Sequence, residues 1–324
     1  MKPIILTLLK ASIAGVLIYF ILQQVNFSEI KEIIAGADLA MLTKGIGCWL
    51  VLCLLGALRW QWLAHAAQVP LSYSRSLKLA FIGFFFNNVM FGSTGGDVMR
   101  AYLVTQNMTE NRWRAVLSVI VDRVIGLFAL LSIASVVLLS FESTSPDQFK
   151  AIPGLYTMRR LVVLFVIVFV CCVALYMSAR ARRALRIREL LSWLPGQGVI
   201  SKIHQSLSLY RTQYPAAIKA YLISIPLQIA GISAFFFIAE AVGSSLALRD
   251  QAIIFPLVQT ATAVPIAPAG WGIGEQLYGW FFVRFGDTLA IGVAASVLFR
   301  LITQIGFGLI GGLVWIASPD RRHK

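Results

Sequence analysis

Charged residues are scarce in this chain. They make up 13% of its 324 residues, whereas 58% are hydrophobic; a typical soluble domain carries about 25% charged residues. This balance excludes a large soluble core and is typical of a membrane protein. Almost nothing remains for a separate soluble domain, so we expect a single integral membrane domain over residues 1–324.

Cysteine and histidine are also scarce, and their spacing excludes the usual metal and disulfide patterns. No two cysteines have CxxC spacing, and all four fall inside apolar runs, where packing is the simplest role. The histidines lie far apart, so we predict no metal and no cofactor. The residues are Cys48, Cys53, Cys171 and Cys172, and His65, His204 and His323.

Nucleotide-binding and catalytic motifs are absent from the sequence as well. There is no P-loop, and the stretch from Gly270 to Gly274 does not match GxGxxG or follow a strand. No Ser/His/Asp or Cys/His grouping stands out. We therefore expect a protein that is not an enzyme.

Long apolar runs are what the sequence has in abundance. Several reach the roughly 20 residues that a membrane-spanning helix needs. The first is long enough to span and has no small-residue cleavage site after it, which favours an uncleaved helix over a signal peptide. We predict six spans, near residues 4–22, 39–63, 115–140, 160–178, 217–242 and 288–317.

The net charge of +14 is distributed unevenly among the loops. Basic residues gather at both ends of the chain and in the loop 179–216, so the positive-inside rule places both termini in the cytoplasm of an inner (plasma) membrane. Arg159 and Arg160 are the main exceptions to this assignment. We expect the basic loop to contact anionic lipid headgroups rather than nucleic acid.

Two further apolar segments, residues 80–97 and 255–275, are interrupted by clusters of small residues and proline. The interruptions contain Gly95, Gly96, Pro265, Pro268, Gly270, Gly272 and Gly274. Non-helical backbone at membrane depth is tolerated only where protein or water satisfies it. Paired broken segments also indicate a central substrate site. We therefore predict two re-entrant hairpins, one dipping in from each side.

The charged residues near these segments recur at matched spacing. Asp97 precedes Arg123 by 26 positions, and Glu275 precedes Arg300 by 25. This spacing predicts an inverted repeat, with repeat one at about 1–141 and repeat two at about 159–318. The alternative is that two Leu/Val/Ile-rich helices simply look alike.

Six charged residues are candidates for the substrate site: Asp97, Arg100, Asp122, Arg123, Glu275 and Arg300. Charge inside a membrane is costly and usually pairs or lines a pathway. The neighbours Asp122 and Arg123 point about 100° apart on a helix, so each needs its own partner. Arg300 would face Glu275 or a lipid phosphate, which the planar guanidinium binds in a bidentate manner.

For each of these residues a structural role is the alternative. Asp97 could cap a helix, Asp122 and Arg123 could reach the membrane surface, and Arg300 could form a purely structural ion pair. Asn87 and Asn88 could satisfy broken backbone or contact substrate. For Arg59 and Glu240, near the ends of their spans, we expect side chains that extend to the membrane surface.

Three motifs together resemble the transmembrane region of lysylphosphatidylglycerol synthases, a family also described as flippase-like. They are Gly95-Gly96-Asp97-x-x-Arg100, Asp122-Arg123-x-x-Gly126 and Pro265-x-x-Pro268-x-Gly270-x-Gly272-x-Gly274-Glu275. The resemblance covers nearly the whole chain. It implies a protein that moves an anionic or lipid-linked headgroup between leaflets. Because the synthases carry a soluble aminoacyl-transfer domain and this chain ends at Lys324, we expect only translocation to carry over.

These observations predict an all-α polytopic membrane protein with six spanning helices and two re-entrant hairpins. Its predicted function is translocation of an anionic phospholipid or a polyprenyl-phosphate-linked lipid. Arg123 and Arg300 would receive the phosphate, while Asp97 and Glu275 would position them or couple to protons. The rivals are a non-transporting accessory of a lipid or glycan biosynthesis enzyme, and a membrane enzyme acting on a lipid phosphate.

Overall fold

The computed structural model describes residues 27–89, 95–106, 108, 111–178, 180, 207–264 and 271–318. Within these ranges the regular structure is entirely helical. The helices are α1 (Phe27–Ala35), α2 (Leu39–Ala66), α3 (Tyr73–Val89), α4 (Gly95–Thr105), α5 (Arg112–Thr144), α6 (Pro146–Ala151), α7 (Leu155–Met177), α8 (Tyr214–Ala241), α9 (Leu248–Ala263), α10 (Ile273–Phe285), α11 (Leu289–Arg300) and α12 (Phe307–Ile316).

Five stretches are long and apolar enough to cross a membrane: α2, α5, α7, α8 and the continuous stretch from α11 to α12. They correspond to five of the six predicted spans. The first predicted span, 4–22, lies outside the described residues. The prediction of an all-α polytopic membrane protein is confirmed. Helices suit a membrane because each helix hydrogen-bonds its own backbone groups in a medium that offers no other partners.

Helices α2 and α8 form the central antiparallel pair. Gly45 on α2 lies against Ile238, and Gly231 on α8 lies against Leu52. Small residues at such contacts allow two helices to approach closely, which is how helices associate in lipid. The Asp38 N–H also donates to the Ala241 carbonyl at 2.9 Å, which joins the start of α2 to the end of α8.

Helices α5 and α7 extend this centre outwards. Arg59 contacts both Asp122 of α5 and Ser224 of α8, and four positions further on the Gln228 amide donates to the Gly126 carbonyl at 2.8 Å, so α5 runs parallel to α8. Helix α7 is antiparallel to α5, and the rings of Phe128 and Phe169 stack 4.3 Å apart. Arg159 pairs with Glu142 near the α5–α7 connection. Arg159 is an exception to the predicted charge distribution, and this pair shows that it has a structural partner nearby.

Two helical hairpins pack against the central pair. In the first, α3 and α4 are antiparallel, and the Gly96 N–H donates to the Asn87 side chain at 2.7 Å. The second consists of α9 and α10, whose outer ends lie beside the end of α8, since Ser244 donates to Asp287 at 2.7 Å.

The outer ends of the first hairpin lie at the other face of the bundle. There α2 ends and α5 begins, with Arg114 hydrogen-bonded to Gln68 at 2.5 Å. The outer ends of the two hairpins therefore lie at opposite faces of the bundle, and the re-entrant arrangement stays a prediction. The tips, residues 90–94 and 265–270, lie outside the described residues; they include Pro265, Pro268 and Gly270 of the predicted turns.

The last span contains a π-helical turn, Leu301–Gly306, between α11 and α12. The Asn88 amide near the first hairpin's tip donates to the Gln304 carbonyl in this turn at 2.8 Å. Beyond the turn, Gly308 and Gly311 lie directly against the backbone of α3. Such turns are frequent at functional sites, and here one joins the first hairpin to the last span.

Candidate functional site

Five charged side chains from three helices form a partly buried network, which we call the first cluster: Arg59, Asp97, Arg100, Asp122 and Arg123. Arg59 on α2 pairs with Asp122 on α5 at 2.7 Å. Arg100 on α4 lies 3.4 Å from both Asp97 and Asp122. Arg123 pairs with Asp97. The network therefore connects the first hairpin to two spanning helices.

Local backbone explains the position of Asp97. Gly96 packs so tightly on the Gly83 carbonyl of α3 that a Cβ would collide with it. Asp97 follows in the first turn of α4, where free N–H groups and the helix dipole favour a negative charge. The Asn87 side chain accepts a hydrogen bond from the Gly96 N–H. Of the two roles expected for Asn87, contact with substrate or satisfaction of broken backbone, this contact is the second.

The neighbours Asp122 and Arg123 have different partners, as the helical geometry predicted. Asp122 faces Arg59 and Arg100, whereas Arg123 faces Asp97. Arg123 also donates to the Ala263 carbonyl, the last residue of α9, at 3.3 Å. This arginine therefore contacts the second arm of the first hairpin and the first arm of the second.

The expectation that Arg59 extends to the membrane surface is wrong. Helix α2 continues to Ala66, which leaves Arg59 two turns inside the helix with 7% of its surface exposed. Besides Asp122, it donates to the Ser224 hydroxyl of α8 at 3.0 Å. Glu240, by contrast, is exposed at the end of α8, as expected.

Arg100 is held differently from Arg59 and Arg123, the other two arginines of the first cluster. Its guanidinium carbon lies 4.1 Å from the centroid of the Trp60 ring, a cation–π contact. Trp60 is itself fixed by a 3.2 Å hydrogen bond to Ser118. The Nε of Arg100 is buried without a hydrogen-bond partner.

A second cluster lies between α10 and α11 and contains Gly272, Glu275, Ser296 and Arg300. Arg300 pairs with Glu275 at 2.6 Å, as predicted. Glu275 also accepts from the Gly272 N–H at 2.6 Å and from the Ser296 hydroxyl at 3.2 Å. Gly274 leaves the space that the Arg300 guanidinium occupies. Glu275 thus caps its own helix and pairs with the last span.

The two clusters share one plan. In each, an acidic residue in the first turn of a hairpin's second arm pairs with an arginine on the following span. Three positions after the acid, a side chain stacks on an aromatic ring of the central helices. It is Arg100 on Trp60 in the first cluster and Tyr278 on Phe235, with centroids 4.3 Å apart, in the second.

An apolar groove of about 350 Å³ lies beside the second hairpin. Its lining is contributed by α9, α10 and the start of α7: Met158, Leu257, Ala261, Gln276, Leu277 and Trp280. Gln276 directly follows Glu275, so the groove adjoins the helix that carries the second cluster. Within the described ranges, no group of His, Cys, Asp and Glu side chains has the arrangement of a metal site.

Sequence reasoning missed several members of the site. Ser224 and Trp60 come from helices distant in sequence, and only the helix packing brings them to the charges. Ser296 lies one turn before Arg300 on the same helix, so its position on the same face was a local signal. Tyr210, outside the spanning helices, donates to the Leu63 carbonyl at 2.9 Å; burial, with a smaller effect of Asp122, raises its pKa. For Arg59 there was a signal, since an arginine within an apolar run predicts a buried partner.

The helices and the charge networks between them define an integral, multi-pass membrane protein. The chain belongs to the family of lysylphosphatidylglycerol synthase transmembrane regions, whose model matches residues 7–311. It is 25% identical to a UPF0104 membrane protein of Methanothermobacter thermautotrophicus, over 96% of this chain and 92% of that relative. Another UPF0104 membrane protein, from Pyrococcus horikoshii, is 20% identical over 97% of this chain and 96% of the relative.

Proposed function

We propose that this protein translocates an anionic phospholipid or a polyprenyl-phosphate-linked lipid between the leaflets of an inner membrane. The observation that carries the proposal is the position of Arg123. It pairs with Asp97 of the first hairpin and contacts Ala263 of the second. A charge shared by two broken segments is what a central site for an anionic headgroup requires.

The energetic argument is that these charges are too costly to be incidental. Each ion removed from water into a medium of low dielectric loses several kcal/mol, and pairing repays only part of this. Apolar residues of similar volume would hold the helices together as well or better. A network of five charges within a membrane protein therefore favours a role with a charged ligand.

The proposed architecture is an inverted repeat with both termini in the cytoplasm. Its support is the antiparallel pairing of α2 with α8, the position of the outer ends of the two hairpins at opposite faces, and the common plan of the two clusters. Repeat one would cover about 1–141 and repeat two about 159–318. In such folds, one repeat rocks against the other around a fixed site.

The apolar groove beside α9 and α10 supplies a place for the hydrocarbon part of the lipid. It is lined by apolar side chains apart from Gln276. An alkyl chain there would replace contacts with the bilayer at little cost, because both surroundings are hydrocarbon. The headgroup would then bind at the charged network around Arg123, while the chain remains at the protein–lipid boundary.

The test is leaflet exchange of headgroup-labelled phosphatidylglycerol and undecaprenyl phosphate in proteoliposomes. We expect exchange by the wild type and a loss of about tenfold or more in Arg123→Gln, because a charge-assisted hydrogen bond contributes about 1.5–3 kcal/mol. The matched control is Arg159→Gln, which breaks the pair with Glu142 outside both clusters and should leave the rate unchanged.

Two outcomes would overturn the proposal. Absence of exchange for either lipid by folded protein, with or without a proton gradient, would favour the accessory role, in which the protein recruits a lipid or glycan biosynthesis enzyme. A new product formed from radiolabelled lipid by the pure protein would instead favour an enzyme.

A further inference from the structure

We propose that the two clusters have different tasks: the first binds the phosphate of the lipid, with Arg100 as the receiving group, and the second holds helices together without contacting ligand. The proposal also narrows the ligand to a phosphodiester. It rests on the proposed function, since it names the group that the translocation site would recognise.

The charge count separates the two clusters. The first contains three arginines and two aspartates, a net charge of +1. The second contains one arginine and one glutamate, a net charge of zero. In a low dielectric, unmatched charge is far more costly than in water. The first cluster is therefore one negative charge short of balance, and an anion would supply it.

Within the first cluster, Arg100 is the cation with the weakest attachments. Both aspartates have another arginine: Asp122 has Arg59 at 2.7 Å, and Asp97 has Arg123. Both carboxylates lie 3.4 Å from Arg100, at the long limit of a hydrogen bond. Its buried Nε has no partner. The guanidinium of Arg100 therefore retains donors for a ligand oxygen.

The solvent exposure of the side chains also differs between the clusters, and it too favours the first cluster as the binding site. The side chains of Arg123 and Asp97 are 31% and 26% exposed, and that of Arg100 is 15% exposed. Those of Glu275 and Arg300 are each 5% exposed. The first cluster thus has an edge that a ligand can reach, whereas the second is enclosed by its own helices.

The residues at equivalent positions agree with this division. Three positions after the acid, the first cluster has Arg100 where the second has Tyr278. The position before the arginine is Asp122 in the first and Phe299 in the second. The second cluster therefore keeps the acid–arginine pair that joins hairpin to span and has no further charge at these two positions.

The net charge of +1 also discriminates between phosphate classes. A phosphodiester carries one negative charge and would neutralise the cluster. A phosphomonoester carries between one and two at neutral pH, since its second pKa is about 6, and would leave a negative excess. We therefore expect preference for a diester headgroup, such as that of phosphatidylglycerol, over phosphatidic acid.

The experiment is calorimetric titration of the full chain in non-ionic detergent with short-chain phosphatidylglycerol, short-chain phosphatidic acid and inorganic phosphate. We expect the diester lipid to bind most tightly. Arg100→Gln should weaken its binding about tenfold or more, and Arg100→Lys, which keeps the charge, should weaken it less. Arg300→Gln, in the second cluster, should leave the affinity unchanged.

A charge-shifted variant tests the preference independently. Asp97→Asn raises the net charge of the first cluster from +1 to +2, so the ratio of the two lipid affinities should move towards phosphatidic acid. Equal binding of inorganic phosphate would identify a free-anion site and overturn the lipid assignment. Unchanged affinity in Arg100→Gln, or lost affinity in a folded Arg300→Gln protein, would overturn the division of tasks.

These outcomes are separate from those of the proposed function. Binding that depends on Arg100, without exchange of any lipid, would retain the binding site and reject translocation. Exchange of phosphatidylglycerol at the normal rate by Arg100→Gln would retain translocation and reject the role of Arg100.

Discussion

At the residue scale, the pair between Arg59 and Asp122 has the greatest consequence for stability. Both side chains are less than a tenth exposed. Asp122 also faces Arg100. Loss of the Asp122 carboxylate would leave Arg59 without an anionic partner and would remove one of the two carboxylates beside Arg100. Desolvation makes such a residue costly to leave unpaired, and removing one partner of a buried pair typically costs about 3–5 kcal/mol.

We therefore expect Asp122→Asn and Arg59→Gln each to lower the thermal unfolding midpoint in detergent markedly. The double variant should lose less free energy of unfolding than the two single variants lose together, by about 1 kcal/mol or more. The reason is that neither Arg59 nor Asp122 then remains buried as a charge without its partner. As a control, Arg159→Gln removes a partly exposed pair with Glu142 and should cost about 1 kcal/mol or less. Additive effects at Arg59 and Asp122 would contradict the geometry.

A second residue-scale prediction concerns Gly274. A Cβ there would collide with the Arg300 guanidinium, so Gly274→Ala should displace Arg300 from Glu275. We expect slower lipid exchange and a loss of about 1–3 kcal/mol of stability, as for other overpacked sites. Gly47→Ala is the matched control, because no atom lies within 4 Å of its added Cβ. Equal behaviour of the two variants would argue against the role of Gly274.

At the scale of elements, the positions of the spanning helices followed from composition, whereas their ends and their partners did not. The apolar runs predicted all five spans that the structure describes, because length and hydropathy alone decide which segments can cross lipid. The π-helical turn Leu301–Gly306 had no signal in the sequence. Arg59 and Asp122 are 63 positions apart, and only the packing of α2 on α5 brings them together. Their pairing was therefore outside the reach of local patterns.

The contact between α3 and α12 gives a prediction for a pair of elements. Gly311 lies so close to the Phe81 carbonyl that an added Cβ would collide with backbone. Backbone cannot rotate away as a side chain does, so Gly311→Ala should force the helices apart. We expect a loss of about 1–3 kcal/mol, measured as a lower unfolding midpoint.

The control for this variant is Gly306→Ala, in the same span. Its added Cβ would meet the Leu301 carbonyl at 3.5 Å, an ordinary contact. An unfolding midpoint equal to that of the wild type in both variants would show that α3 and α12 are not packed as described.

At the scale of the whole molecule, the arrangement of helices defines two faces and hence a test of sidedness. Gln148, in α6, is exposed on the face where α5 and α8 end, and Gln213 is exposed on the face where α8 begins. We expect a membrane-impermeant maleimide to label Gln148→Cys in intact cells, and Gln213→Cys only after permeabilisation. Both variants need a background without the native cysteines. Labelling of both positions from one side would contradict the proposed topology.

The candidate site could be predicted in part at this scale. The hypothesis that Asp97 and Glu275 position Arg123 and Arg300 named the residues that form the two acid–arginine pairs. The difference between the clusters could not be predicted, because it depends on Arg59 and Trp60 reaching across from α2. Periodicity within one segment carries no information on such contacts. The predicted contact of these residues with substrate stays a prediction.

Under the proposed function, the double attachment of Arg123 would link ligand occupancy to the shape of the bilayer. Its guanidinium is shared between a carboxylate of one hairpin and a carbonyl of the other, so a phosphate that competes for it loosens one attachment. Linkage is reciprocal: whatever separates the hairpins must change ligand affinity by the same factor with which ligand changes their separation. Membrane thickness and lateral tension act on that separation, so under the proposed function they would regulate binding without touching the site.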